Sequence, residues 1–196
     1  VMAWGRNISG QLGTGTASPN SPYPVYAKGS DNSDLTYATQ IYAGGNTSGA
    51  VVVPAGMAND PYYGQLLLWG NNATYNLGNG VDTTDSALGH TVDKGETHNA
   101  ASLAGSIYEH TFDRTISLSL CDVLSVGVQS DGSVWTWGTG VLGNYKSAST
   151  AKVPTRVGVQ DVRTVVIDDA WIMQAGTPGT PSASDTIVKT FNTDKL

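Results

Sequence analysis

Charged side chains are scarce in this chain. Asp, Glu, Lys and Arg together make up 13% of its 196 residues, roughly half the share found in ordinary soluble domains. Only ten residues are Lys or Arg, these cations are scattered singly, and the formal net charge is −6. A surface that binds duplex nucleic acid needs clustered cations to displace counterions from the phosphates. The sequence therefore predicts that nucleic acid is not a partner.

Cysteine and long apolar runs are also nearly absent. Cys121 is the single cysteine, which excludes a disulfide within the chain. It precedes a predicted buried strand and is expected to be a small core residue, with an interchain bridge as the alternative. No apolar run approaches the roughly 20 residues of a membrane-spanning helix, so membrane insertion is not expected. Abundant Gly, Ser, Thr and Asn favour one all-β domain with many turns, on an extracellular protein or a virion surface.

One short motif recurs along the chain. Trp-Gly occurs three times and is followed each time by Leu-Gly, at Trp4-Gly5 with Leu12-Gly13, Trp69-Gly70 with Leu77-Gly78, and Trp137-Gly138 with Leu142-Gly143. The Trp-Gly pairs are 65 and 68 residues apart, and a nearly constant period indicates stacked supersecondary units. We predict units of roughly 1–53, 54–129 and 130–196.

Two of the Trp-Gly pairs close a predicted β-hairpin. Residues 123–129 lead through Ser130-Asp131-Gly132 into 133–137, and Asp-Gly between apolar runs is a strong hairpin signal. Residues 50–53 and 65–69 form the corresponding pair around an eleven-residue loop, 54–64. That loop carries Tyr62 and Tyr63, which we predict to be exposed binding residues because Tyr is favoured at interfaces.

The first copy of the motif points to a family. Residues 4–13 run Trp-Gly-Arg-Asn-Ile-Ser-Gly-Gln-Leu-Gly, with Gln11 before the Leu-Gly pair, and this segment resembles the regulator-of-chromosome-condensation repeat. The second copy keeps an Asn at 71 or 72, and the third has lost the Asn and the Gln. The resemblance implies an all-β fold of β-propeller-type repeats, about three blades in this chain. It also implies a function as exchange factor, enzyme inhibitor or scaffold.

One predicted strand, Val1–Trp4, belongs to none of the predicted hairpins. Residues 169–174 and 186–191 form a third hairpin in which Phe191 takes the Trp position, whereas the strand Val1–Trp4 has no upstream partner. Propellers typically close with four to eight blades, and soluble proteins avoid exposed apolar edges. We therefore expect this strand to pair with another chain of an assembly, including a copy of itself, or with sequence upstream.

A long insertion, residues 93–120, lies between the polar residues that follow Leu77-Gly78 and the hairpin that begins at residue 123. Long loops on repeat scaffolds commonly carry binding contacts, so we predict His98 and His110 to be contact residues. His90 lies nearby, and imidazole with carboxylates can ligate a metal. No two histidines have the close spacing of known sites, so an exposed polar loop is expected, with no metal and no cofactor.

Catalytic groups are hard to find. Asp168 and Asp169 stand beside Trp171 and could serve glycan chemistry, but nothing else supplies a nucleophile, a base and an oxyanion site. We predict a non-enzymatic structural or adhesive module of an extracellular or virion assembly that binds protein or glycan. The alternatives are a regulatory protein-binding propeller (a small-GTPase exchange factor or an enzyme inhibitor) and a glycan-active enzyme.

Overall fold

The computed structural model of the chain describes residues 1–17, 19–29, 31–53, 65–80, 86–91, 114–143, 149–157, 162–168 and 171–176. These residues form twelve strands and no helix. The strands are β1 (Met2–Gly5), β2 (Ser21–Tyr26), β3 (Ala38–Gly44), β4 (Thr47–Val52), β5 (Gln65–Gly70), β6 (Ser86–Thr91), β7 (Thr115–Leu120), β8 (Leu124–Gln129), β9 (Val134–Gly140), β10 (Ser149–Arg156), β11 (Val162–Asp168) and β12 (Trp171–Gly176). In these ranges no helix is long and apolar enough to cross a membrane.

The strands form four antiparallel sheets in chain order. The first sheet is β1–β2, the second is β3-β4-β5-β6, the third is β7-β8-β9-β10 and the fourth is β11–β12. Trp69-Gly70 ends β5 and Trp137-Gly138 lies in β9, so each pair occupies the third strand of a four-stranded meander. Trp4-Gly5 ends β1, and β1 and β2 therefore correspond to the third and fourth strands of the complete sheets.

The middle strands are buried because each complete sheet is covered on both faces. All six residues of β8 are buried, and so are five of the six in β5. A short, continuous apolar run is the sequence pattern of such a strand. One core cluster joins Leu66 and Leu68 of the second sheet to Leu118 and Trp137 of the third. Cys121 is a free thiol, buried in the core cluster of the third sheet.

The two predicted hairpins around Trp-Gly are present as β4–β5 and β8–β9. The outer strand β7 lies within the last part of the predicted 93–120 insertion, which is therefore not a loop after Arg114. Its sequence alternates Leu and Ser, and Leu118 and Leu120 are buried while Ser117 and Ser119 are half-buried. That alternation is the period of a strand, and β7 pairs with β8 along its length.

Each end of the repeat array holds a strand that the prediction did not include, β2 at one end and β11 at the other. β1 is paired along one edge, since Met2 faces Tyr26 and Ala3 faces Val25 in β2, a downstream partner that the sequence pattern did not reveal. At the other end β12 pairs with β11, which precedes it. The predicted partner of residues 169–174, at 186–191, lies outside the described residues. β2 lies in the polar segment that follows Leu12-Gly13 and is therefore hard to recognise in the sequence. Its two prolines, Pro22 and Pro24, also weaken the pattern expected of a strand.

The β8–β9 turn supplies a pH prediction. Asp131 Oδ1 accepts the Ser133 amide at 2.9 Å and the Ser133 hydroxyl at 2.6 Å. Burial by itself raises the pKa of Asp131, but these hydrogen bonds and the charge of Arg156 outweigh it and lower the pKa. We expect stability from this turn to be full above the ordinary aspartate pKa of about 3.9 and to be lost as the pH falls through the lowered value.

The check is an NMR titration of the Asp131 carboxyl together with unfolding curves between neutral and acidic pH. Asp131→Asn should remove the part of the stability loss at acidic pH that comes from protonation of this carboxyl group. Asp31 makes the same two bonds to Ser33 in an exposed loop, and they lower its pKa as well; it is the comparison that lacks the charge of Arg156. An Asp131 pKa at or above its ordinary value would contradict the prediction.

Candidate functional site

The loop that follows Trp4-Gly5 forms the contact between the first and second sheets. The indole nitrogen of Trp69 donates to the main-chain oxygen of Gln11 at 3.0 Å, and the hydroxyl of Ser48 donates to the same oxygen at 2.9 Å. Gly13 has φ +71°, and a Cβ there would lie 2.8 Å from Trp69 Nε1. Leu12, beside it, is buried. The loop therefore receives the Trp of the following sheet, and Gly13 leaves room for the ring.

The contact between the second and third sheets repeats this arrangement. Trp137 Nε1 donates to the main-chain oxygen of Asn76 at 2.9 Å, and Ser125 donates to that oxygen at 2.8 Å. Asn76 holds the same place before Leu77 that Gln11 holds before its own leucine. Sequence reasoning missed the two serines, although each stands directly opposite the Trp in the register of its hairpin.

An Asn inside the loop fixes its conformation. The side-chain oxygen of Asn7 accepts the amide of Leu12 at 3.0 Å, and that of Asn72 accepts the amide of Leu77 at 3.1 Å. Both asparagines are buried. The motif Asn of the second copy is therefore Asn72 and not Asn71.

The variant Ser125→Ala tests how much the hydrogen bond from Ser125 to the main-chain oxygen of Asn76 contributes to stability. Ser125→Ala should lower the free energy of unfolding by about 1 kcal/mol, since one buried hydrogen bond is lost while Trp137 still satisfies the oxygen of Asn76. Chemical denaturation followed by far-UV circular dichroism measures it. Ser33→Ala, which removes a solvent-exposed hydrogen bond to Asp31, is the comparison and should cost less than Ser125→Ala. An unchanged value for Ser125→Ala would show that Trp137 alone holds the loop.

Trp4 is exposed, whereas the other two motif tryptophans are buried. Its side chain is 65% exposed, whereas Trp69 is 2% and Trp137 is 0% exposed. Other large exposed apolar or aromatic side chains share the first sheet and strand β3: Met2, Tyr23, Tyr26 and Ile41. Clustered exposure of this kind marks interaction surfaces more often than single exposed residues do.

A groove of about 670 Å³ runs between β1 and the β3–β4 hairpin. Met2, Trp4, Ile41 and Tyr42 contribute to its walls, and Arg6 is the one charged residue in its lining. Burial raises the pKa of Tyr42 and outweighs a hydrogen bond with the main chain of Leu118, so its phenol is neutral at physiological pH. The groove can therefore hold an uncharged, largely apolar segment.

The other predicted site residues fall in different parts of the chain. Tyr62, Tyr63, His98 and His110 lie outside the described residues and stay predictions, as does Asp169. Asp168 ends β11 and His90 lies in β6. Within the described residues, no three His, Cys, Asp or Glu side chains are grouped closely enough to hold a metal ion.

Sequence comparison gives the family of the first motif. Residues 1–51 match the model of the regulator of chromosome condensation (RCC1) repeat. The matched segment covers 51 of the 196 residues. It contains β1, β2, β3, the loop with Gln11 and nearly all of β4, and it supplies every lining residue of the groove beside Trp4 except Trp69. No curated protein matches the chain in sequence.

Solved structures that carry RCC1 repeats show the same fold. The chain matches human WBSCR16 with a TM-score of 0.65 and 15% identity over 90% of its length. It matches yeast RCC1 (Prp20), solved bound to Kap60, with a TM-score of 0.59, 15% identity and 89% coverage. Prp20p from Saccharomyces cerevisiae, in a study of its binding to Gsp1p and histones, gives 0.59, 16% and 91%. The fold is a β-propeller type, as the motif predicted.

The match covers only part of these structures. The chain spans 40% of the human protein's length and 37% and 39% of the two yeast structures. The described residues form two complete four-stranded sheets and two sheets with two described strands each. The predicted count of about three blades agrees with these sheets.

Proposed function

We propose that this chain is a protein-binding segment of a regulatory β-propeller. The observation that carries this proposal is the apolar groove beside the exposed Trp4 in the RCC1 repeat. Exposed tryptophan and tyrosine next to a groove supply large contact area at little entropic cost, and they are enriched at binding hot spots. Support comes from the yeast structures, since Prp20 was solved bound to Kap60 and was studied for its binding to Gsp1p and histones.

The comparisons favour this regulatory role over the structural role that composition suggested. They give no support to an extracellular or virion assembly, to a glycan ligand, or to pairing between copies of the chain; these stay predictions. The absence of enzymatic activity also stays a prediction. The net charge of −6 suits a basic protein partner, because complementary charge speeds association.

The experiment measures binding of the purified chain to Gsp1p, Kap60 and core histones by surface plasmon resonance. Ile41→Ser changes a 67% exposed groove residue, and Val141→Ser changes a 52% exposed residue of the third sheet as the matched control. We expect Ile41→Ser to weaken binding at least about tenfold, the size of a modest hot spot of about 1.4 kcal/mol. Val141→Ser should leave the affinity unchanged.

Two results would reject the proposal. Equal affinity of both variants would place the binding surface elsewhere, and histone binding that vanishes at high salt without any effect of Ile41→Ser would reflect net charge alone. Release of labelled GDP from Gsp1p separates the regulatory classes. Acceleration favours an exchange factor, and binding without acceleration favours an inhibitor or a scaffold.

A further inference from the structure

The second Trp-Gly repeat contains an Asn-Gly pair that the other two repeats lack. Asn79-Gly80 follows Leu77-Gly78, and nowhere else in the chain does glycine follow asparagine. The first repeat has Thr14-Gly15 at the same place, after Leu12-Gly13. Asparagine before glycine is chemically reactive, because no Cβ keeps the glycine nitrogen away from the asparagine side chain. Asn79 is therefore the asparagine of this chain that is best placed to react with its own main chain.

The structure places Asn79-Gly80 at the contact between the second and third sheets. The amide of Gly80 donates to the main-chain oxygen of Lys152 in β10 at 3.1 Å. A Cβ on Gly80 would lie 3.2 Å from Cγ1 of Val153, and the ammonium of Lys152 lies 5.0 Å from the ring centre of Tyr75. Asn79 is half-buried and Gly80 is exposed. Water thus reaches the pair, while the neighbouring sheet holds its main-chain nitrogen.

The first repeat has a similar loop without that hydrogen bond. Gly15 has φ +88° and Gly80 has φ +74°, so both are left-handed. Thr14 is half-buried like Asn79, and Gly15 is exposed like Gly80. Within the described part of the chain, no acceptor is bonded to the amide of Gly15. The bond to Lys152 is therefore the feature that distinguishes the second loop from the first.

We propose that Asn79 is a self-modification site, which converts to aspartate or isoaspartate at a rate set by opening of the contact between the second and third sheets. The reaction needs the deprotonated nitrogen of Gly80, and the hydrogen bond to Lys152 keeps its proton in place. Reaction through a transiently opened form follows the population of that form. Conversion of Asn79 therefore reports how often the two sheets separate at this point.

The reaction requires only water and hydroxide. Hydroxide takes the amide proton of Gly80, and the nitrogen attacks Cγ of Asn79. The new N–C bond closes a succinimide ring, and the side-chain nitrogen takes a proton from water and leaves as ammonia. Water then opens the ring. Cleavage at Cγ leaves aspartate, and cleavage at the main-chain carbonyl carbon leaves isoaspartate, in which the chain continues through Cγ.

Either product changes the contact at which it forms. Both replace the neutral amide of Asn79 with a carboxylate. Isoaspartate also adds a methylene group to the main chain before Gly80, which displaces the amide of Gly80 from the oxygen of Lys152. We therefore expect faster hydrogen exchange at the Gly80 amide in the isoaspartate form, because an amide without its hydrogen bond loses protection.

The experiment compares the full chain with a synthetic peptide of residues 74–84 at one pH and temperature. Peptide mapping by mass spectrometry, with electron-transfer fragmentation, counts both products. We expect Asn79 to convert at least about tenfold more slowly in the folded chain than in the peptide, because a hydrogen-bonded amide reacts only on opening. Thr14→Asn is the matched variant, and its new Asn-Gly pair should convert at close to the peptide rate. Asn72, which precedes Ala73, is the internal control and should stay unchanged.

Ser125→Ala tests the role of the contact between the sheets. It removes a hydrogen bond from β8 to the oxygen of Asn76, and circular dichroism shows whether the variant is folded. It should speed conversion of Asn79 about fivefold, the ratio equivalent to about 1 kcal/mol, and leave the pair created by Thr14→Asn at its former rate.

Four results would overturn the inference. They are no conversion in the peptide, equal rates for Asn79 in the peptide and the folded chain, equally slow reaction of the two Asn-Gly pairs, and a rate at Asn79 that Ser125→Ala does not change. The third result would mean that the loop conformation, and not the hydrogen bond to Lys152, slows the reaction.

Discussion

Trp137→Ala is expected to lower the free energy of unfolding by about 3–5 kcal/mol, the usual cost of truncating a large buried aromatic residue. Trp137 is 0% exposed, packs against leucines of the second and third sheets, and donates to the main-chain oxygen of Asn76. The variant leaves a cavity at the contact between two sheets. Since domains are stable by about 5–15 kcal/mol, much of the total would be lost.

Trp4→Ala is the matched control, since it removes the same side chain from the same motif position. Trp4 is 65% exposed, and exposed substitutions usually change stability by no more than about 0.5 kcal/mol. Urea unfolding of both variants, followed by circular dichroism, measures the difference. A loss of similar size in the two variants would show that Trp4 is covered in solution.

Gly70→Ala is expected to be the second most damaging change, by about 2–5 kcal/mol. An alanine held at φ +107° costs about 1–3 kcal/mol in backbone strain. Its methyl group would also overlap the main chain of Asn46, the residue just before β4, and overpacking of this kind adds about 1–3 kcal/mol. The overlap is with backbone atoms, so no side-chain rotation can relieve it.

Gly5→Ala isolates the two contributions. Gly5 has the same φ of +107° but no neighbour within 4 Å of its Cβ, so only the strain of about 1–3 kcal/mol remains. The comparison uses thermal and urea unfolding of both variants. Equal losses would mean that β4 moves away to accommodate the methyl group, and that the close approach to Asn46 is not what requires glycine there.

Local signals were enough to predict the middle of each complete sheet. Asp131-Gly132 between apolar runs identified β8–β9, and the motif after Trp4 identified the repeat and its propeller fold. The outer strands gave weaker signals. β2 has two prolines and β7 is one-third serine, and such strands form because β1 and β8 offer them unsatisfied hydrogen-bonding groups.

The candidate site was largely beyond sequence reasoning. Tyr62, Tyr63, His98 and His110 were selected because they lie in long polar loops, a criterion that does not depend on what lies beside them in space. The groove joins residues of β1 to Ile41 and Tyr42, about 40 positions later in the chain. A comparison of the hairpins position by position would have revealed Ser48 and Ser125, each one place from the strand start.

Sequence by itself determined the repeat, its period and the strand that carries each Trp-Gly pair, because these follow from local backbone preference and hydrophobic pattern. Tertiary structure alone decided which tryptophan is buried. Trp4, Trp69 and Trp137 share one motif, yet two are covered by the loop of a preceding sheet and one is open to solvent. Burial depends on the neighbour that a residue meets, and no local pattern specifies that neighbour.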